Sequence, residues 1–110
     1  MEKYIDLMKE VQMRIHKCGD EYEMRDEFNK AIRIMQEVCS LLIDVGVKSR
    51  IELKIKSMIY TLDTDVRRMI KASNDTGRRK AAGIDYYDRA KRNVLFDIAS
   101  ALGYLKELPG

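Results

Sequence analysis

The side chains able to do covalent or metal chemistry are few, and their spacing argues against a catalytic centre. The sequence has one histidine, His16, and two cysteines, Cys18 and Cys39. The cysteines form no CxxC pair, and no His, Cys or carboxylate set has the spacing of a metal site. Neither thiol has a sequence partner that would serve as its base. Each cysteine falls on an apolar helical face, which predicts buried, reduced thiols. Some small helical ribonucleases pair an Arg with a His at short spacing, but His16 follows Arg14 too closely for that pattern. Asp63 and Asp65 lie two residues apart, so on a helix they point roughly 200° apart and cannot work as an acid/base pair. Gly77 and Gly83 fit neither a P-loop nor a GxGxxG turn. The expectation is a non-enzyme with no catalytic residue, no metal and no cofactor.

Binding chemistry is better represented. Lys56, Tyr60, Arg67 and Lys71 share about 60° of arc on one helix. Arg68 adds a base beside them. Arg89, Arg92 and Phe96 share the outer side of another helix, and Arg78, Arg79 and Lys80 follow one another in a loop. Cations neutralise phosphates and rings stack on unpaired bases, so bases interleaved with aromatics suit nucleic acid. The same pattern also arises wherever helices keep a charged face in water, and Asp63 and Asp65 interrupt it. The charge is uneven: residues 1–49 carry a balance of −2 and residues 50–110 a balance of +5, for a net +3. That asymmetry leans toward an anionic partner of the second half.

The elements that must position these groups read as helices almost throughout. The spacing predicts four of them, over about 2–18, 24–45, 50–73 and 85–107. In the first, Tyr4, Leu7, Met8, Val11, Ile15 and Cys18 recur at steps of three and four, with Gly19 as a left-handed stop. The acidic stretch from Asp20 to Glu27 leads into the second, which Gly46 is expected to end. Ser49-Arg50-Ile51-Glu52 reads as a capping box opening the third, whose stripe is Ile51, Ile55, Met58, Ile59, Leu62, Val66, Met69 and Ile70. Asn74 to Gly83 reads as the one clear loop. Asp85 is a good N-cap for the fourth, with Tyr87, Ala90, Val94, Ile98, Ala101, Leu102 and Leu105 facing inward.

The second helix carries more apolar surface than one face needs. Phe28, Ile32, Met35, Cys39 and Leu42 form one stripe, and Ala31, Ile34, Val38, Leu41 and Val45 form another beside it. Together they span roughly 200°, against the ~100° or somewhat more of a surface helix. A central, covered helix would explain this. The reading preferred here is a homo-oligomer interface built on Ala31, Ile34, Val38, Leu41 and Val45, with closed symmetry.

The 110 residues make one domain, with no run of about 20 apolar residues to span a membrane. The N-terminus, Met-Glu-Lys-Tyr-Ile-Asp, lacks the basic start and apolar run of a signal peptide. The expected class is an all-α, antiparallel four-helix bundle, soluble and cytoplasmic, assembling into a ring-like or barrel-like homo-oligomer.

Three stretches carry a family likeness. Met24-Arg25-Asp26-Glu27-Phe28 leads into a long apolar helix. Arg50-Ile51-Glu52-Leu53 opens a helix reading Tyr60-Thr61-Leu62-Asp63-Thr64-Asp65-Val66-Arg67-Arg68-Met69-Ile70. Tyr87 precedes Ile98-Ala99-Ser100-Ala101-Leu102-Gly103-Tyr104-Leu105-Lys106, in which a Leu-Gly pair is followed by an aromatic and a base. In these the chain resembles the four-helix-bundle family of accessory variability determinant proteins of diversity-generating retroelements and of ribosomal-RNA intervening-sequence proteins. The resemblance implies a homopentamer with a basic surface that binds RNA or DNA and docks a reverse transcriptase during mutagenic retrohoming. It also implies that Gly103 allows close helix approach. The alternative within the likeness is a protein–protein interaction module of the intervening-sequence type, with no direct nucleic-acid role.

Overall fold

A computed structural model of the chain describes residues 1–76, 80, 81 and 84–108, with side chains of 1–74 and 85–108. The elements are α1 (Glu2–Lys17), α2 (Glu21–Leu41), α3 (Val45–Thr61), a π-helical segment (Leu62–Val66), α4 (Arg67–Thr76), β1 (Lys80–Ala81), β2 (Ile84–Asp85) and α5 (Tyr86–Glu107). Backbone angles at Leu62 and Arg67 stay right-handed helical, so α3, the π segment and α4 are one continuous rod. That gives four helical rods and a two-residue antiparallel ladder, Lys80 opposite Asp85 and Ala81 opposite Ile84.

The rods form an antiparallel bundle. α1 packs on α2 and α5, and α3 packs on α2 and α5 in turn. Contacts between ends fix the directions. Tyr4 near the start of α1 donates to Glu37 near the end of α2. Tyr87 at the start of α5 donates through Oη to the Cys18 carbonyl, 2.6 Å away, just past the end of α1. The core is built from Met8, Val11 and Ile15 of α1, Met24, Phe28, Met35 and Val38 of α2, Ile51 and Met58 of α3, and Val94, Ile98 and Leu105 of α5, all essentially dry. Among the described residues no helix is long and apolar enough to cross a membrane.

Both cysteines are buried and free, as their apolar faces predict. Asp85 caps α5 as expected, accepting from the Asp88 amide at 3.1 Å. The inward stripe of α5 is as read from Ala90 to Leu105, with Asp97 added, while Tyr87 is only half-buried.

Several boundaries differ from the sequence reading. Gly19 is not a left-handed stop: no φ in that region occurs there, and the cap residue Cys18 is extended (φ −71, ψ 146). The carbonyls left over at the end of α1 are satisfied from outside the helix. Lys91 Nζ donates to those of His16 (2.9 Å) and Cys18 (3.1 Å), and the Tyr87 hydroxyl shares the latter. No glycine cap is then required.

α2 starts at Glu21, earlier than the sequence suggests, because Asp20 accepts from the Tyr22 amide at 3.0 Å. It ends at Leu41, short of Gly46, because Asp44 already caps α3 by accepting from the Val47 amide at 3.0 Å. Asp44 therefore displaces Ser49 as the cap, and Gly46 lies in the first turn of α3. Asn74 belongs to α4 rather than to a loop, and the Tyr22 hydroxyl donates to its side chain across to α2.

The second apolar stripe of α2 divides. Ala31 and Val38 are fully buried inside the protomer, so they are not available to a second copy. The reason is position: α2 lies between α1 and α3, and its buried arc is accordingly wide. Ile34 is half-buried. Leu41 (56% exposed) and Val45 (79%) do face outward, with Ile43 (94%) between them. They mark the corner between α2 and α3, and Val45 belongs to α3. The α2 surplus is thus mostly the inside of a four-rod bundle. What remains outside is a small apolar corner.

Candidate nucleic-acid interface

The bundle measures 47 × 23 × 17 Å, so its two ends are separate surfaces. One end is formed by the start of α2, all of α4 and the start of α5. Arg67, Arg68 and Lys71 are exposed there and form no ion pair with a described side chain. Arg89 and Arg92 of α5 are exposed at the same end but already engaged. Arg89 Nε lies 3.8 Å from Asp65 Oδ1, and Arg92 Nε lies 3.3 Å from Asp88 Oδ2 one turn away. Asn93 Nδ2 donates to the other oxygen of Asp65 at 2.7 Å. Arg78 and Arg79 lie outside the described residues, and Lys80 is placed in β1 by its backbone alone. Lys56 is exposed on α3, eleven residues before Arg67 and so about 16 Å back along the rod. Of the nine bases singled out in the sequence, three thus form a free cationic group on α4, two are tied to acids, and Lys56 stands apart.

The π segment changes how these bases are presented. The Arg67 amide bonds to the Leu62 carbonyl, five residues back, which is the π pattern. Thr64 reinforces the distortion, turning its hydroxyl to the carbonyl of Tyr60 at 2.7 Å. A π turn holds about one residue more than an α turn, so it rotates α4 by about 100° relative to an unbroken helix. The arc of Lys56, Tyr60, Arg67 and Lys71 drawn on an ideal wheel is therefore interrupted between Tyr60 and Arg67. Arg67 comes to lie beside α2, together with Arg25 and Asn29.

That junction holds a groove of about 270 Å³. Its floor is Leu62, Val66 and Ile70, and its rim is Arg25, Asn29, Asp63 and Arg67. Arg25 is held in place by Asp26, 3.1 Å away, and by the ring of Tyr22, whose centroid is 5.2 Å from the guanidinium carbon. Asp63 and Arg67 make no ion pair, and the Asn29 amide makes no hydrogen bond, with any described side chain. Sequence reading missed Arg25 and Asn29. Their i, i+4 spacing on α2 is a weak signal, and only the π turn brings them opposite Arg67.

A second polar cluster also escaped the sequence reading. Between α3 and α5, Lys54 Nζ lies 3.2 Å from Asp97 Oδ1, and Thr61 Oγ1 donates to Asp97 Oδ2 at 2.6 Å. All three side chains are buried. Each buried polar atom of this cluster has at least one partner, so the cluster is bonded to itself inside the fold. Among the described residues no three His, Cys, Asp or Glu side chains come together as a metal-binding group. Gly103 is exposed, and a side chain there would meet nothing within 4 Å, so it does not serve close helix approach. No protein-family model, curated protein or solved structure matches this chain.

Proposed function

We propose that this chain is a non-catalytic accessory protein that binds RNA or DNA through the α4 end of its bundle. The observation that carries the reading is the group Arg67, Arg68 and Lys71, three exposed cations within about one and a half turns of helix, none of them in an ion pair with a described side chain. Charges of this kind that no structural partner neutralises are available to phosphates. Tyr60 of α3 and Phe96 of α5, 70% and 72% exposed, offer further ring faces elsewhere on the outer surface. By the sequence resemblance, the enzyme it would assist is a reverse transcriptase that copies RNA mutagenically in a diversity-generating retroelement. The same resemblance suggests a ring of five copies. The apolar corner Leu41, Ile43 and Val45 is the surface such subunits would share, and Ala31 and Val38 are no longer part of it.

The test is the salt dependence of oligonucleotide binding. Replacing Arg67, Arg68 and Lys71 together with Gln should flatten the slope of log affinity against log salt by about 2 on a single strand. An unchanged slope would remove the α4 group from the interface.

The apolar corner also favours a second reading, a protein–protein interaction module with no nucleic-acid role. Leu41→Glu and Ile43→Glu should lower the solution mass while leaving the helical spectrum intact, since both side chains are exposed within the protomer. If the wild type is a monomer by light scattering, subunit contact through this corner is excluded.

A further inference from the structure

We propose that the groove between α2 and the π segment receives one unpaired guanine base of a bound single strand. The proposal rests on the nucleic-acid reading above and adds to it a site and a base preference.

The groove brings together features that suit such a ligand. Its floor is apolar: Val66 is buried, and Leu62 and Ile70 are half-buried, so a flat ring laid over those two removes apolar surface from water. The space of about 270 Å³ falls below the ~300–1,000 Å³ that encloses a whole small molecule. It is of a size for one ring, with the attached sugar and phosphates outside. Arg25 and Arg67 flank the floor from two different helices, where the phosphates on either side of a splayed-out base would run.

The remaining two rim groups choose the base. The Asp63 carboxylate only accepts hydrogen bonds, and the Asn29 amide can both donate and accept. Guanine presents two adjacent donors, N1–H and the N2 amine, which match the two oxygens of a carboxylate. Its O6 beside them accepts from an amide. Uracil presents one N–H between two carbonyl oxygens, which would face the carboxylate unfavourably. Adenine and cytosine each offer a single amine. Neither Asp63 nor Asn29 has a partner among the described side chains, so no internal bond has to be broken for either to meet a base.

A plain electrostatic account makes the opposite forecast for Asp63. An acid beside two arginines weakens the hold on any polyanion, so removing it should strengthen all binding alike. The experiment compares a short oligo-uridylate with the same oligomer carrying one central guanosine, by fluorescence anisotropy, on wild type and Asp63→Asn. The inference expects wild type to bind the guanosine oligomer about tenfold tighter. It expects Asp63→Asn to lose that preference while retaining binding to oligo-uridylate. Arg67→Gln, as the second variant, should weaken both oligomers equally. Asp63 and Arg67 are exposed, so both variants should keep the fold, which circular dichroism checks. If wild type binds the two oligomers equally, or Asp63→Asn tightens both by the same factor, the guanine site is wrong and salt-dependent binding at α4 still stands. If neither oligomer binds at any salt, both the site and the nucleic-acid reading fall.

Discussion

Two places in this bundle set basic and acidic side chains close together, and they are built in opposite ways. Between α3 and α5, Lys54, Asp97 and Thr61 are buried and bonded to one another. Between α2 and the π segment, Arg25, Arg67 and Asp63 ring an open groove, with no ion pair from Arg67 or Asp63 to a described side chain. Desolvating a charge costs several kcal/mol, which only close partners offset, so an interior ion pair is committed to the fold. A rim charge keeps its water and its freedom to meet a ligand. The difference teaches where to look for function in a helical bundle of this kind. The charges that are most deeply placed are the least available.

The sharpest way to break the comparison is to remove Asp97. Asp97→Leu leaves the Lys54 ammonium buried without a counter-charge and should cost about 3–5 kcal/mol in denaturant unfolding. Lys54→Met combined with Asp97→Leu should recover most of that loss, because the two apolar chains can fill the same space. Recovery by the double variant separates pairing from simple packing. If Asp97→Leu alone costs under about 1 kcal/mol, the cluster is wet and the contrast with the groove disappears.

Lys54 and Asp97 also show where sequence reading stops. The four-rod bundle is legible because apolar side chains at steps of three and four lie on one face whatever surrounds them. Met8, Val11 and Ile15 of α1 and Val94, Ile98 and Leu105 of α5 behave as that rule requires. Lys54 and Asp97 look in the sequence like any surface charges. Their inward turn depends on the register of α3 against α5, forty-three residues apart, which no local pattern encodes. The width of the apolar arc on α2 is visible in the sequence, but its cause is not. A helix between two neighbours and a helix between a neighbour and a second subunit have the same wheel. Ala31 and Val38 are buried by the first cause.

The candidate site is legible in part for a similar reason. Arg67, Arg68 and Lys71 stand out as a basic run, and they are exposed. The groove is not written in that run, because it needs the π segment at Leu62–Val66 to bring Arg67 beside Arg25 and Asn29. The distortion is accompanied by the Thr64 hydroxyl bonding back to the Tyr60 carbonyl one turn earlier, a choice that side chain makes only in some contexts.

Gly103 gives a smaller effect on the same helix as Asp97. It lies on the solvent side of α5, where an added methyl group touches nothing. Gly103→Ala should therefore stabilise the protein by about 0.8–1 kcal/mol, since alanine loses less conformational freedom in a helix. A higher denaturation midpoint with an unchanged slope would show it. A loss of stability would mean that another surface closes over Gly103 in solution.

The smallest expected effect is the one that most directly separates the two regions. If the groove charges are reserved for a ligand, the fold does not depend on them. Asp63→Asn and Arg67→Gln should each move the unfolding free energy by no more than about 0.5 kcal/mol, as for surface substitutions without structural partners. The same change of charge at Asp97 costs several times more, although both acids sit in helical rods of one bundle. A loss of about 2 kcal/mol at Asp63 would place the groove charges with the interior cluster as parts of the scaffold. In that case the open rim would be a consequence of the π turn and not a place prepared for a base.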